Sequence, residues 1–196
     1  MEFNTSVEQE VKDYLRASRK EYTDNSSSFK NLDFTLTFGE GKLFHLDVKE
    51  KRQRYNLNNW PKIMIEADMF ILDDLSIRKC LAFSPNSGIL VRDNIRAKYF
   101  FVSVLDFALM PKKRVNRQIN RNQPDIKGKW IINLRNGKEA ISLQAAFLLI
   151  EQYVQNLEEV LFKILECYGE YVDEIIGQGG ITRKPSHWEI DVKSTR

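Results

Sequence analysis

The sequence predicts a mixed α/β fold, a mixed central sheet flanked by helices with a long helix near the C-terminal end. Three observations predict it. Near the N-terminus, Val7, Val11, Tyr14, Leu15 and Ser18 fall at helical spacing. Two segments with strand-like alternation follow, 32–38 and 43–51. Finally, Leu143, Phe147, Ile150, Val154, Leu157, Leu161, Ile164 and Tyr168 recur at alternating steps of four and three.

Thr5 or Ser6 can cap the first helix, with Glu8 or Gln9 three residues later as in a capping box. "TDNSSS" (23–28) breaks the pattern and reads as a loop. In "LDFTLTF" (32–38), Leu32, Phe34, Leu36 and Phe38 alternate with polar residues, as in a half-buried strand. "GEGK" turns the chain, and "LFHLDVKEK" (43–51) returns as the hairpin partner. "PKIMIEA" (61–67) reads as a short helix with Pro61 in its first turn. "MFILDD" and "SIRKCLAF" read as strands about a turn at Asp73-Asp74, and "GILVRD" as a buried strand. "KYFFVSVLDFALM" suits a buried strand or a helix, and "KWIINLRNG" a strand ended by Asn136-Gly137. The 142–168 stripe suits a helix buried in the core, or a dimer seam. These elements make one domain over 1–176, with a glycine-containing linker and tail over 177–196.

With 196 residues, 42% hydrophobic and 29% charged, the chain has material for one sizeable core. No apolar run approaches the ~20 residues that span a bilayer. The opening "MEFNTSVEQE" has neither a basic nor an apolar signal region. Cys80 and Cys167 lie in apolar surroundings without metal-ligand spacing, as buried thiols do. A reducing, cytoplasmic setting is expected. The net charge of +3 hides an uneven distribution: 110–130 holds Lys112, Lys113, Arg114, Arg117, Arg121, Lys127 and Lys129 against Asp125 alone. "KEKRQR" (49–54) is a second basic cluster, whereas 151–174 is strongly acidic. Such polarity suits a polyanionic partner, or two solvated faces of opposite sign.

One pattern carries chemistry. Acid-x-lysine occurs at Glu10, Glu40, Asp47, Asp125 and Asp191, so the tripeptide alone says little. The copy Asp47-Val48-Lys49 is different, because it sits in a strand long enough to be central. Residues i and i+2 share a face, so Asp47 and Lys49 project together. A turn near Gly39–Gly41 can bring Asp33 beside them. Ionised groups on an inner strand cost free energy unless they pair or coordinate something. His45 falls on the same face. Asp191-Val192-Lys193 has no such context and reads as tail.

"VEQEVKDYLRAS", "NSSSFKNLDFTLTF" and "FHLDVKEK", in that order, resemble the PD-(D/E)XK nuclease superfamily, particularly archaeal Holliday-junction resolvases. The similarity covers about residues 5–51 and implies a restriction-endonuclease-like fold. It implies that Asp33 is the signature aspartate, Asp47 the second acid, Lys49 the lysine and Glu8 the helix glutamate, with Glu10 its rival. Two departures stand out: Leu32 occupies the usual proline position, and Asp47 replaces the commoner glutamate.

The resemblance implies Mg²⁺- or Mn²⁺-dependent hydrolysis of DNA, in restriction, recombination or repair. Asp33, Asp47, the Val48 carbonyl and Glu8 would hold metal, and Lys49 would position or activate water. Lys51, Arg52, Arg54, Lys112, Lys113, Arg114, Arg117 and Arg121 are the candidate phosphate contacts. Tyr55 and Trp60 are candidate base contacts or buried anchors. A homodimer through the 142–168 helix is compatible with this. The alternative is a nuclease-fold module that binds nucleic acid or a protein without cutting.

Overall fold

The computed structural model describes residues 5–118, 126–157 and 171–172. Among them, β1 (Tyr22–Asp24), β2 (Phe34–Phe38), β3 (Lys42–Lys51), β5 (Ser87–Asp93), β6 (Lys98–Ser103) and β9 (Lys138–Ala140) form a six-stranded sheet in the order β1-β2-β3-β5-β6-β9. Only β3 and β5 run parallel; every other neighbouring pair is antiparallel, so the sheet is mixed. A smaller antiparallel sheet joins β4 (Met69–Asp73), β8 (Ile126–Asn133) and β7 (Lys112–Gln118) in the order β4-β8-β7. The helices are α1 (Val7–Ala17), α2 (Asp74–Ala82), α3 (Val104–Leu109) and α4 (Leu143–Gln155). The expected mixed α/β architecture is present, with α4 the long helix toward the C-terminal end.

Local sequence explains the first three large elements. Ser6 caps α1 by accepting from the Gln9 amide at 3.2 Å, and Val7, Val11 and Leu15 form its buried stripe. The β2–β3 hairpin closes through Gly39–Gly41, where Glu40 (φ 62°) and Gly41 (φ 73°) are both left-handed. Its register pairs Phe34 with Leu46 and Phe38 with Lys42; extended by one residue, it sets Asp33 across from Asp47.

The main sheet is covered on both faces, so β3 and β5 are central. On one face Phe34, Leu46, Val48 and Leu90 pack with α1 and α4, where the Tyr14 and Phe147 rings stack at 4.7 Å. On the other, Ile89, Val91, Phe100 and Val102 pack with α2, α3, β4 and β8. Two strands approach closely at Gly88: an added Cβ there would lie 2.7 Å from Phe101 Cε2 and 2.9 Å from the Val102 carbonyl oxygen. Gly88→Ala should therefore cost about 1–3 kcal/mol, measured by urea denaturation; a change below about 0.5 kcal/mol would contradict this packing.

Several expectations are corrected. "SIRKCLAF" belongs to helix α2: Ile77 and Cys80, three apart, are its buried face, and Arg78 reaches back to Asp74 at 2.7 Å. "PKIMIEA" forms no α-helix; only a single tight turn occupies Glu66–Asp68. The Lys51 ammonium takes the Glu66 and Ala67 carbonyls at 2.8 and 3.0 Å, which a continuing helix would bond internally. "KYFFVSVLDFALM" is both strand and helix, and the switch is a capping box between Ser103 and Asp106. Of the five described anchors, Leu143, Phe147, Ile150 and Val154 are buried in the core and Leu157 packs partly buried against it. They are therefore not a free dimer seam; Leu161, Ile164 and Tyr168 lie outside the described residues, as do the 177–196 tail, Cys167 and Asp191-Val192-Lys193. Cys80 is a buried free thiol, its pKa raised by burial. No helix among the described residues is long and apolar enough to cross a membrane.

Candidate active site

Asp33, Asp47, Val48 and Lys49 meet at the end of β2 and the middle of β3. β2 ends at the Phe34–Leu46 pair, so the Val48 amide on that side would lack a strand partner; it donates instead to Asp33 Oδ2 at 2.8 Å. Lys49 Nζ donates to Asp47 Oδ1 at 2.8 Å and to the Val48 carbonyl at 3.1 Å, and reaches Asp33 Oδ2 at 3.5 Å. Asp47 is only 4% exposed, and its Oδ2 is buried with no hydrogen-bond partner.

Burial sets the electrostatics. It pushes the Asp47 carboxyl up to about 6; Lys49 holds it down in part, and Asp33 adds to the rise. Burial works against the Lys49 ammonium too, but Asp47 and Asp33 outweigh it and raise the lysine pKa. A carboxyl whose folded pKa is raised stabilises the fold below its unfolded value near 4, and that contribution is lost as pH rises through about 6. In metal-free protein, unfolding free energy should therefore fall by of order 2 kcal/mol between about pH 4 and 7 relative to Asp47→Asn. Parallel pH profiles for the two proteins, from denaturant titrations, would rule this out.

The donor set fits a hard divalent cation. Two carboxylates and a backbone carbonyl converge on one positive group, the Lys49 ammonium, and one carboxylate oxygen remains unpartnered. Oxygen donors of this kind suit Mg²⁺ or Mn²⁺, and Mg²⁺ keeps several of its waters. Among the described residues no group of three or more His, Cys, Asp or Glu side chains gathers as a metal cage, so protein ligands would be few.

Glu8 is not brought into this group. It is exposed in the first turn of α1, and α1 packs on the Leu46/Val48 face of the sheet, whereas Asp47 and Lys49 alternate to the other. The glutamate of α1 with tertiary partners is Glu10. Arg92 Nη1 donates to it at 2.6 Å, and the Tyr99 hydroxyl also bonds it. Arg92, 0% exposed, further contacts Glu50, Asn94 Oδ1 and the Thr5 carbonyl. The sequence reading missed this cluster, although an arginine inside the buried run "GILVRD" was its available signal.

The other candidates divide sharply. Lys51 is 1% exposed, bonded to Glu66 and Ala67, and so is not a phosphate contact. Lys112 also turns inward, onto the Ala108 and Met110 carbonyls and over the Phe107 ring, with its pKa lowered by burial. Arg54 and Lys113 are exposed. Arg52 is exposed but bonds Glu50 at 2.6 Å; Arg114 bonds Asp74 at 3.2 Å; Arg117 lies 4.2 Å over the Trp60 ring. Arg121 lies outside the described residues. His45 stacks on Phe83 at 4.0 Å and bonds Thr35 Oγ1 at 3.1 Å, a structural role. Asp73, the last residue of β4, binds Lys127 and Lys129 of β8, and Asp74, the first of α2, accepts from Trp130 Nε1, so the two acids tie β4 and α2 to β8.

No family model matches the sequence, and no curated protein matches it. The solved structures that resemble the fold include the following two. One is Hjc, a Holliday junction resolvase from Archaeoglobus fulgidus, at 12% identity and a TM-score of 0.39 over 66% of this chain and 93% of that one. The other is D212, a nuclease from a fusselovirus, at 9% identity and a TM-score of 0.41 over 76% and 88%. Likeness this remote leaves chemistry to be read from this chain's own side chains.

Proposed function

We propose that this protein is an endonuclease that hydrolyses phosphodiester bonds of DNA with the aid of Mg²⁺ or Mn²⁺. One observation carries the proposal: Asp33 Oδ2, Asp47 Oδ1 and the Val48 carbonyl converge on a single cationic group, and a buried Asp47 oxygen is left over. When bound, the metal would lower the pKa of water and stabilise charge on the phosphate. Asp33, Asp47 and the Val48 carbonyl would hold it. Lys49, tethered beside the same oxygens, orients the attacking water and neutralises charge that develops on the phosphate. Arg54 and Lys113, with Arg52, Arg114 and Arg117 after exchange of their present partners, supply salt-sensitive contacts to the DNA backbone.

Incubating the purified protein with supercoiled and linear DNA tests this. Nicking or cleavage with Mg²⁺ or Mn²⁺, abolished by EDTA and weakened as salt rises, is the expected outcome. Cleavage that resists EDTA would overturn the metal assignment. Salt-dependent binding without cleavage under either ion would leave a binding module in its place.

A further inference from the structure

We propose that Phe29 is a stacking residue for an unpaired base beside the Asp33–Asp47–Lys49 site, so that the favoured substrate is DNA with an unstacked nucleotide there. The inference takes the identity of the site from the nuclease reading above.

Phe29 is 88% exposed, more than any other large apolar residue among those described. Single exposed apolar residues are ordinary, and Ile141, Ile126 and Ile65 are examples. Phe29 differs in being aromatic and in belonging to the loop that ends in Asp33. That loop is held at both ends. The Asn25 amide donates to the Asp33 carbonyl at 2.8 Å, and Asn25 Nδ2 donates to Thr35 Oγ1 at 3.0 Å. Ser28 N bonds the Asn25 carbonyl at 2.7 Å, Lys79 Nζ holds the Asn31 carbonyl at 2.9 Å, and Leu32 is buried. The ring is thus presented to solvent by an anchored loop. Four residue steps lead from Phe29 to Asp33, which limits their Cα distance to at most ~14 Å, about two nucleotides' reach from the carboxylates. Lys30, the next residue along the loop, is also exposed and adds a cation to it.

In a continuous duplex every base face is covered by its neighbours. An unpaired base offers a free face, which an aromatic side chain can take without regard to sequence. Phosphate contacts alone would not distinguish the two substrates.

Binding in EDTA, where the metal-dependent step is silent, is measured by anisotropy on a fully paired duplex and on the same duplex with a one-nucleotide bulge. Phe29→Ala should weaken bulge binding by about 10-fold and leave duplex binding within about twofold, while Phe29→Trp retains the preference. A 2-aminopurine in the bulge should lose fluorescence on binding the wild type and not on binding Phe29→Ala. Equal losses on both DNAs, or none, would overturn the inference. If Phe29 governs bulge binding but no DNA is cut with Mg²⁺ or Mn²⁺, the nuclease reading falls and this one stands. If DNA is cut but Phe29→Ala binds both DNAs as the wild type does, only this one falls. Absence of any DNA binding removes both.

Discussion

Asp47→Ala and Lys49→Ala should each lower metal-dependent cleavage by about 10²-fold or more, yet act oppositely on metal binding. Asp47 would contribute a ligand from a position only 4% exposed, where no water easily substitutes for it. Its removal should abolish Mn²⁺ binding along with activity. Lys49 instead sits on the same oxygens, 2.8 Å from Asp47 Oδ1 and 3.1 Å from the Val48 carbonyl. Its ammonium competes with a metal for them, so Lys49→Ala should bind Mn²⁺ at least as tightly as wild type while remaining inactive. Calorimetric titration beside a cleavage assay separates the two, with circular dichroism confirming the fold. Retained cleavage in either variant would remove these residues from the site.

The largest stability effect is expected at Arg92. Its buried guanidinium joins Glu10 on α1, Glu50 on β3 and Asn94 beyond β5. Arg92→Ala leaves Glu10 without its cation and Glu50 with only the exposed Arg52, and should cost about 3–5 kcal/mol. For a chain of this size that is a fall in Tm of roughly 10 °C. Such a loss reflects stranded charge more than the net worth of the pair, because desolvating the ions already offsets much of their attraction. Adding Glu10→Gln and Glu50→Gln to an Arg92→Met protein should therefore recover a good part of the loss. A cost below about 1 kcal/mol for Arg92→Ala, or no recovery in the triple variant, would show that the cluster does not tie α1 to β3 as described.

The elements legible in the sequence are those whose signals are local. The α1 stripe, the Ser6 cap and the β2–β3 alternation are each written within one or two turns or strand repeats, and the described structure has them all. Misread segments lacked such a signal. The apolar run of "SIRKCLAF" is too short to separate a strand from a helix with a three-residue apolar step. In "KYFFVSVLDFALM" the change of period falls in mid-segment at Ser103, so either reading fitted half of it.

By itself the sequence determined that Asp47 and Lys49 share a face and that a short glycine turn can return the chain to Asp33, because strand alternation and hairpin closure act over a few residues. Tertiary structure alone decided what covers each face. Neighbours distant in the chain bury Lys51 against Glu66 and Ala67, set Arg92 between Glu10 and Glu50, and put α1, with Glu8, on the face of β3 away from Asp47. A charged residue is free to meet phosphate, or obliged to hold the fold together, according to whether water or a partner reaches it. That depends on packing between segments far apart in sequence, which no local pattern encodes.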